Sequence, residues 1–203
     1  MARARCVLMR RDAVLAAIIK RYGACGIRTG REGDIFGGLV EAIVSQQLST
    51  RAAATIYGRL RAILPGGGPP TPEALMPLSD DALRRVGLSR QKTGYLRDLS
   101  RKVMEGTVET DGLSSLTDEE IVAELTKIKG IGRWTVEMIL IFRLTRPDVL
   151  PVGDLGIVKA VQKAYRLRKT PDARRLQRIG ERWRPYRSVA SWYLWASLEN
   201  KSP

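Results

Sequence analysis

The stretch LTKIKGIGRWT, residues 125–135, decides the fold of this chain. Gly130 and Gly132 flank one apolar residue between two predicted helices, so the connecting turn is short and its backbone is open to close approach. The first amides of the second helix point toward any anion at the turn, and the helix dipole favours negative charge there. Lys129 and Arg133 add formal positive charge at the same position. The stretch therefore predicts a phosphate-binding helix–hairpin–helix turn.

A single carboxylate follows the predicted turn. After an apolar helix the chain continues with PVGD, residues 151–154, and Asp154 stands at a predicted helix start. Aspartate is a favoured helix N-cap, so capping alone would explain the residue type. Behind a phosphate-binding turn, the same carboxylate is also the candidate catalytic group of an enzyme that acts on a nucleotide. One residue can serve both purposes.

The charge balance indicates the same class of partner. The chain has 35 Lys+Arg against 21 Asp+Glu, which gives a formal net charge of +14. Such a field favours a polyanion, although a basic surface can also serve solubility. Combined with the hairpin, the charge favours binding to nucleic acid.

The residue types exclude several kinds of chemistry. The 203 residues include no histidine, which excludes histidine triads, histidine general bases and histidine-ligated zinc. Cys6 and Cys25 supply neither a disulfide framework nor a four-cysteine cluster, so we expect no metal. Any acid–base chemistry must therefore use Asp or Glu together with water.

The apolar spacing predicts an all-α chain, because no alternation typical of a strand extends over a useful length. No apolar run reaches the roughly 18 residues of a membrane span, and the basic N-terminus is too short for a secretory signal. We therefore expect a cytoplasmic, nucleoid-associated protein without membrane contact. The predicted helices cover 12–22, 34–46, 49–64, 79–86, 90–105, 132–144 and 171–183, and others start at Thr117, Asp154 and Pro185.

One segment interrupts this helical pattern clearly. Residues 65–72, PGGGPPTP, form a surface joint that no helix can cross. The joint is either a domain boundary or a long loop inside one all-α fold.

The hairpin and the PVGD segment together closely resemble the helix-hairpin-helix DNA glycosylases, in particular the 3-methyladenine DNA glycosylase II branch. Three further segments carry the likeness: SQQLS at 45–49, GLSRQKTGYL at 87–96, and WRPYRS at 183–188 with Trp195 beyond. The resemblance extends from about Phe36 to Leu198. It implies two helical lobes that flank a DNA-binding cleft, with a Gly/Pro-rich loop that ends in the catalytic aspartate. It also implies one domain over 1–203, with the N- and C-terminal helices in one lobe and the central helices, including 117–145, in the other.

The resemblance implies a monofunctional DNA glycosylase that acts as a monomer on duplex DNA carrying a damaged base. Such an enzyme flips an alkylated base, of the 3-methyladenine or 7-methylguanine type, out of the duplex and hydrolyses its N-glycosidic bond. The transition state resembles an oxocarbenium ion, which Asp154 would stabilise. Bifunctional relatives carry a lysine where this chain has Trp134, so we expect no strand cleavage. No cofactor is implied, although a structural monovalent cation among the hairpin carbonyls stays open.

The family assigns roles to further residues of this chain. The implied base pocket consists of Trp134, Trp195 and Met138, with core packing as the alternative for each tryptophan. The implied DNA contacts are Gly130, Gly132, Lys129, Arg133, Thr135, Gln47, Leu48, Ser49 and Lys92. Gln47 is the candidate wedge in the vacated base stack, whereas Gln46 can instead satisfy backbone groups at a helix end. For Lys92, an ordinary solvated turn is the alternative to a phosphate contact.

Two other functions stay open at this point. A non-catalytic helix-hairpin-helix module would bind DNA without needing the Asp154 carboxylate or a pocket of tryptophans. A glycosylase for a different lesion, such as uracil or an oxidised purine, would share the fold and differ in the shape of its pocket.

Overall fold

The structure is a computed structural model that describes residues 1–27 and 34–198. Regular structure in this part of the chain is helical, as the sequence predicts, and it contains no strand. The helices are α1 (Ala2–Arg11), α2 (Ala13–Tyr22), α3 (Ile35–Ser45), α4 (Thr50–Ala62), α5 (Pro72–Leu75), α6 (Asp80–Arg85), α7 (Arg90–Met104), α8 (Asp118–Leu125), α9 (Arg133–Phe142), α10 (Leu155–Ala164), α11 (Ala173–Gly180) and α12 (Arg187–Leu198).

Local sequence signals place most helix starts. Ser49, Thr117 and Asp154 each accept a backbone N–H through the side chain and cap α4, α8 and α10. Thr117 forms a complete capping box with Glu120, which confirms the predicted start of α8. Short-range hydrogen bonding fixes these positions, and sequence spacing alone is enough to find them.

Four helical segments differ from the sequence prediction. Helices α1 and α5 were not predicted, because α1 buries only Ala4 and Leu8 and α5 is a single turn. The predicted helix 171–183 ends as an α-helix at Gly180 and continues as a 3-10 turn. The last helix begins at Arg187 and not at Pro185.

The chain divides into two compact units. Unit 1 combines Met1–Arg31 with Leu140–Pro203, and unit 2 is Glu32–Ile139. The Gly/Pro-rich segment 65–72 lies inside unit 2, so its interpretation as a loop within the fold is correct and the alternative of a domain boundary is wrong. The assignment of 1–203 to one functional domain stays a prediction.

A buried carboxylate organises unit 1. Asp12 is 3% exposed and caps α2 by accepting the amide N–H groups of Val14 and Leu15. It also accepts the Tyr165 hydroxyl at 2.5 Å and the Trp183 indole N–H at 3.0 Å. Burial, together with the hydrogen bond to Asp12, raises the pKa of Tyr165. This network anchors the C-terminal end of α10, whose first turn is capped by Asp154.

Candidate active site and DNA interface

The hairpin between α8 and α9 requires glycine at position 130 for two separate reasons. Gly130 has φ +81°, a left-handed conformation that glycine adopts without steric cost. A Cβ added there would also lie 2.2 Å from the ring of Tyr95, so a side chain cannot fit. Gly132 differs, since a Cβ at that position would meet nothing within 4 Å. The turn is therefore closed by Tyr95 at Gly130 and open to an approaching phosphate at Gly132.

A buried aspartate of α7, which the sequence analysis missed, supports the hairpin. Asp98 is 5% exposed, and its Oδ2 accepts the Lys129 amide N–H at 2.8 Å and the Lys102 ammonium at 2.9 Å. Its Oδ1 accepts the Arg101 guanidinium at 3.0 Å. Burial alone would raise the pKa of Asp98, but the hydrogen bonds from Lys129 and Lys102 hold it below its usual value. The hairpin backbone is thus fastened to α7 by a charged hydrogen bond.

The loop after α3 is tied to the same hairpin. The Gln46 side-chain amide donates a 2.8 Å hydrogen bond to the carbonyl oxygen of Gly130, so Gln46 satisfies a backbone group of the hairpin turn and not, as the alternative interpretation expects, of a helix end. The Lys92 ammonium donates to the carbonyl oxygens of Val44 and Gln46, both at 2.7 Å, and burial lowers its pKa. Lys92 therefore supports the loop at the end of α3 in this structure and is not part of an ordinary solvated turn. A phosphate contact by Lys92 stays a prediction.

The tip of this loop is exposed and conformationally unusual. Gln47 is exposed and has φ +57°, which is uncommon for a residue other than glycine. Leu48 is 39% exposed, and Ser49 is exposed while its hydroxyl accepts the Ala52 amide at 3.3 Å. The structure therefore gives all three predicted contact residues access to solvent. Their contact with DNA, and the wedge role of Gln47, stay predictions.

A hollow of about 670 Å³ lies between the loop and α9 in unit 2. This volume falls within the usual range for small-molecule sites and can hold a nucleobase. Trp134 is 48% exposed, so core packing is the wrong interpretation for this tryptophan. Thr135 is buried, and its predicted contact with DNA stays a prediction. The lining residues are Ala42, Ser45, Gln46, Gln47, Leu48, Ser89, Gln91, Lys92, Tyr95, Gly130, Trp134, Thr135 and Met138.

The two cations of the hairpin have different surroundings. Lys129 is exposed at its side chain. The Arg133 guanidinium makes two hydrogen bonds to the carboxylate of Glu119, at 3.0 and 2.7 Å, and this contact holds the pKa of Glu119 below its usual value. Both partners are more than half exposed, so water and salt weaken the pair. Glu119 therefore offsets part of the positive charge that the hairpin presents.

Asp154 in unit 1 is both an N-cap and the acceptor of an indole N–H. Its Oδ1 accepts the Ile157 amide at 2.7 Å, as the capping interpretation expects, and the Trp195 Nε1 at 2.8 Å. Trp195 is half-buried, and its ring centroid lies 5.8 Å from that of Phe142. Two N–H donors on one oxygen fix the orientation of the carboxylate. The catalytic role of Asp154 and the base-stacking role of Trp195 stay predictions.

Gly156 makes this arrangement sterically feasible. A Cβ added at Gly156 would lie 2.9 Å from Asp154 Oδ1 and 3.1 Å from Trp195 Cδ1. Such contacts are too short for a real side chain, so any larger residue would displace the carboxylate or the indole. The sequence analysis did not identify Gly156, because its role depends on a tryptophan 39 residues further along the chain.

Neither a metal-binding cluster nor a helix able to span a membrane occurs within residues 1–27 and 34–198. No three side chains of the His, Cys, Asp or Glu types form a metal-binding group there, and Cys6 and Cys25 are unpaired thiols. None of the helices described is long and apolar enough to cross a membrane. The expected absence of a cofactor stays a prediction, and the question of a monovalent cation at the hairpin carbonyls stays open.

Comparison with protein families and known proteins gives a consistent result. The family model described as "HhH-GPD superfamily base excision DNA repair protein" matches residues 40–185. DNA-3-methyladenine glycosylase 1 of Schizosaccharomyces pombe is 39% identical over 158 residues, which cover 77% of this chain and 69% of that protein. The Bacillus subtilis protein YfjP, whose name assigns it provisionally to the DNA-3-methyladenine glycosylases, is 34% identical over 82% of this chain. The match spans only 60% of the length of that protein.

A solved structure extends the likeness to nearly the whole chain. The 3-methyladenine DNA glycosylase of Schizosaccharomyces pombe, in complex with abasic DNA, superposes with a TM-score of 0.86 and 34% sequence identity. The superposition covers 99% of this chain and 98% of that one. The helical architecture described above is therefore shared with that protein along its length.

Proposed function

Because the chain belongs to the HhH-GPD superfamily of base excision DNA repair proteins, we propose that it is a monofunctional DNA glycosylase for alkylated bases. The substrates are bases of the 3-methyladenine and 7-methylguanine type in duplex DNA. One observation carries the proposal: the Asp154 carboxylate is held by the Ile157 amide and the Trp195 indole at the start of α10. The similarity to named 3-methyladenine glycosylases supports the choice of substrate.

The chemistry assigned to Asp154 follows from the charge of the transition state. Cleavage of the bond between base and deoxyribose produces positive charge on the sugar. A fixed carboxylate stabilises that charge, and it can also orient or deprotonate the attacking water. The donors from Ile157 and Trp195 would keep the carboxylate in place without a reorganisation step when the charge develops.

The hollow in unit 2 suits the proposed substrates. Trp134 lines the hollow and is 48% exposed, and a cationic methylated purine stacks on indole through both dispersion and a cation–π interaction. Met138 gives the same hollow a softer apolar wall. The stacking on Trp134 favours a base that carries positive charge, and such a base has a weakened glycosidic bond before it binds. A chain without histidine is poorly suited to protonating a neutral leaving base.

The monofunctional assignment depends on Trp134. The bifunctional relatives use a lysine at that position to form a Schiff base with the sugar, and tryptophan cannot. The product should therefore be an intact strand with an abasic site. We further propose that the protein works as a monomer in the cytoplasm, on the nucleoid, since its substrate is chromosomal DNA and its net charge of +14 favours that polyanion.

The test uses a set of duplexes that each carry one defined base: 3-methyladenine, 7-methylguanine, uracil or 8-oxoguanine. After incubation, hot alkali reveals abasic sites and untreated samples reveal strand cleavage. We expect excision of the methylated purines, no strand cleavage without alkali, and no covalent adduct with borohydride. Robust trapping by borohydride would overturn the monofunctional assignment. Activity on uracil or 8-oxoguanine alone would overturn the lesion class. Binding without any excision would overturn the glycosylase assignment and support the alternative of a non-catalytic DNA-binding module.

A further inference from the structure

We propose that unit 1 carries a second DNA-binding surface, which holds undamaged duplex by its phosphates and is separate from the hairpin. The proposal depends on the proposed function only for the identity of the polyanion. The surface, which we call the distal basic surface, consists of six exposed cations: Arg166, Arg168, Lys169, Arg174, Arg175 and Arg178.

Three cations of the distal basic surface lie at the far end of α10 from the candidate catalytic group. Asp154 caps the first turn of α10, and the helix ends at Ala164 after 10 residues. At 1.5 Å per residue the helix is about 15 Å long. Arg166, Arg168 and Lys169 follow its C-terminal end directly. These cations are therefore well separated from the carboxylate that Trp195 holds.

Helix α11 presents the other three cations on a single face. Arg178 lies four residues after Arg174 and three after Arg175, which places the three side chains next to one another on the helix surface. Leu176 is fully buried, and Ile179 packs against the core of unit 1. The apolar side of α11 is thus fixed inward, and the arginines are directed to solvent.

The positive charge of the chain is concentrated in this region. Residues 166–184 contain eight basic and two acidic residues, so 19 residues hold six of the fourteen net positive charges. Both acidic side chains are engaged locally. Asp172 caps α11 by accepting the Arg175 amide at 2.7 Å, and Glu181 accepts Nε of Arg184 at 2.9 Å. These two carboxylates therefore neutralise only a small part of the positive charge of residues 166–184.

Arg166 supplies an independent observation. It has φ +52° and follows the C-cap of α10, in the position that glycine most often occupies. The Leu167 amide donates to the Gln162 carbonyl at 2.9 Å, and the Arg166 amide donates to that of Lys163 at 3.3 Å, the pattern of a Schellman motif. Glycine would adopt this conformation at lower cost. The backbone conformation therefore does not account for an arginine at this position.

The character of the distal basic surface selects DNA as its partner. None of the large exposed apolar side chains of the described chain lies within residues 166–184. Protein partners are usually anchored by buried aromatic or apolar side chains, and membrane binding needs apolar residues that insert. Five of the six cations are arginines, whose planar forks match phosphate oxygens. A phosphate backbone without base-specific contacts fits this surface best.

The first test compares two triple variants with the same loss of charge. One carries Arg174→Gln, Arg175→Gln and Arg178→Gln, and its control carries Arg59→Gln, Arg84→Gln and Arg85→Gln, which are exposed arginines of unit 2. Binding to an undamaged duplex is measured as a function of salt. The slope of the logarithm of the binding constant against the logarithm of the salt concentration is negative. We expect its magnitude to decrease by about 2 to 3 units for the α11 variant and by less than about 1 unit for the control.

Excision measured in a single turnover with saturating enzyme separates this proposal from the proposed function. We expect the α11 variant to excise at the wild-type rate, because its three arginines are exposed and supply neither of the hydrogen bonds from Ile157 and Trp195 that hold Asp154. An unchanged salt slope, or an equal loss in the control, would overturn the distal basic surface and leave the glycosylase assignment intact.

The second test is Arg166→Gly, which separates folding from binding. Since glycine suits the left-handed position, we expect an unchanged or higher midpoint of thermal unfolding. We also expect binding to undamaged duplex to weaken by about two- to fivefold, and the magnitude of the salt slope to decrease by about 1 unit. A variant that binds undamaged duplex as tightly as the wild type would contradict the proposal.

Discussion

The indole Nε1 of Trp195 donates a 2.8 Å hydrogen bond to Oδ1 of Asp154, the same oxygen that accepts the Ile157 amide. The family resemblance implies base stacking by Trp195, and the structure adds an orienting contact to the carboxylate. Gly156 makes room for this contact, since a Cβ there would lie 2.9 Å from the shared oxygen. We therefore expect Trp195 to affect the rate of excision through Asp154 as well as through any contact with the base.

Replacing the indole with a ring that lacks the N–H tests this role. We predict that Trp195→Phe lowers the single-turnover excision rate by about tenfold, the effect of losing one charge-assisted hydrogen bond. Binding to abasic-site DNA should stay within about twofold of wild type. Trp192→Phe is the matched control, because Trp192 is half-buried on the same helix and packs edge-on against Tyr193. Equal rates for wild type and Trp195→Phe would show that the N–H does not contribute.

The buried carboxylate of Asp98 predicts a pH-dependent contribution to stability. Its pKa in the folded protein is lowered, so its stabilisation is present above the unfolded value of about 3.9 and is lost as the pH falls through the folded value. We predict that Asp98→Asn lowers the free energy of unfolding by about 1–3 kcal/mol at pH 7. This difference from wild type should shrink below about pH 4.

Urea unfolding at several pH values measures the effect of Asp98→Asn. Asp80→Asn is the control, because Asp80 pairs with Arg97 at a side-chain exposure of 68% and should change stability little. We also expect Asp98→Asn to weaken binding to every duplex, since the carboxylate holds the Lys129 amide. A stability difference that is the same from pH 7 to pH 3 would contradict a role for the charge.

We expect the Glu119 carboxylate to weaken the binding of DNA. Because its carboxylate occupies the Arg133 guanidinium, we predict that Glu119→Gln strengthens binding to undamaged duplex by about two- to fivefold at low salt. Glu105→Gln removes the same charge from an exposed pair with Arg101 and serves as the control. Arg133→Gln should abolish the gain when combined with Glu119→Gln. Additive effects of the two substitutions would show that Glu119 does not act through Arg133.

The parts of the fold that local signals determine could be predicted from the sequence. The capping box at Thr117, the cap at Ser49 and the glycines of the hairpin each depend on residues a few positions apart. The resemblance adds Asp154, whose position as an N-cap the structure confirms. The predictions agree with the structure here because short-range hydrogen bonds and backbone preferences determine these features largely without tertiary contacts.

The supporting contacts could not be predicted, because they join residues far apart in the chain. Asp98 meets the Lys129 amide across 31 residues, and Gln46 meets Gly130 across 84. The contact of Trp195 with Asp154 spans 41 residues. Nothing in the local pattern of these side chains distinguishes a surface polar residue from one that fastens the site.

The excision rate of Asp154→Asn tests the central claim most directly. Asparagine keeps the size of the side chain and an oxygen that can cap α10, and it removes the charge. We predict a single-turnover rate for 7-methylguanine that is lower by at least about 100-fold, with wild-type circular dichroism and wild-type affinity for abasic-site DNA. A folded variant that excises 7-methylguanine within a few-fold of the wild-type rate would contradict the account.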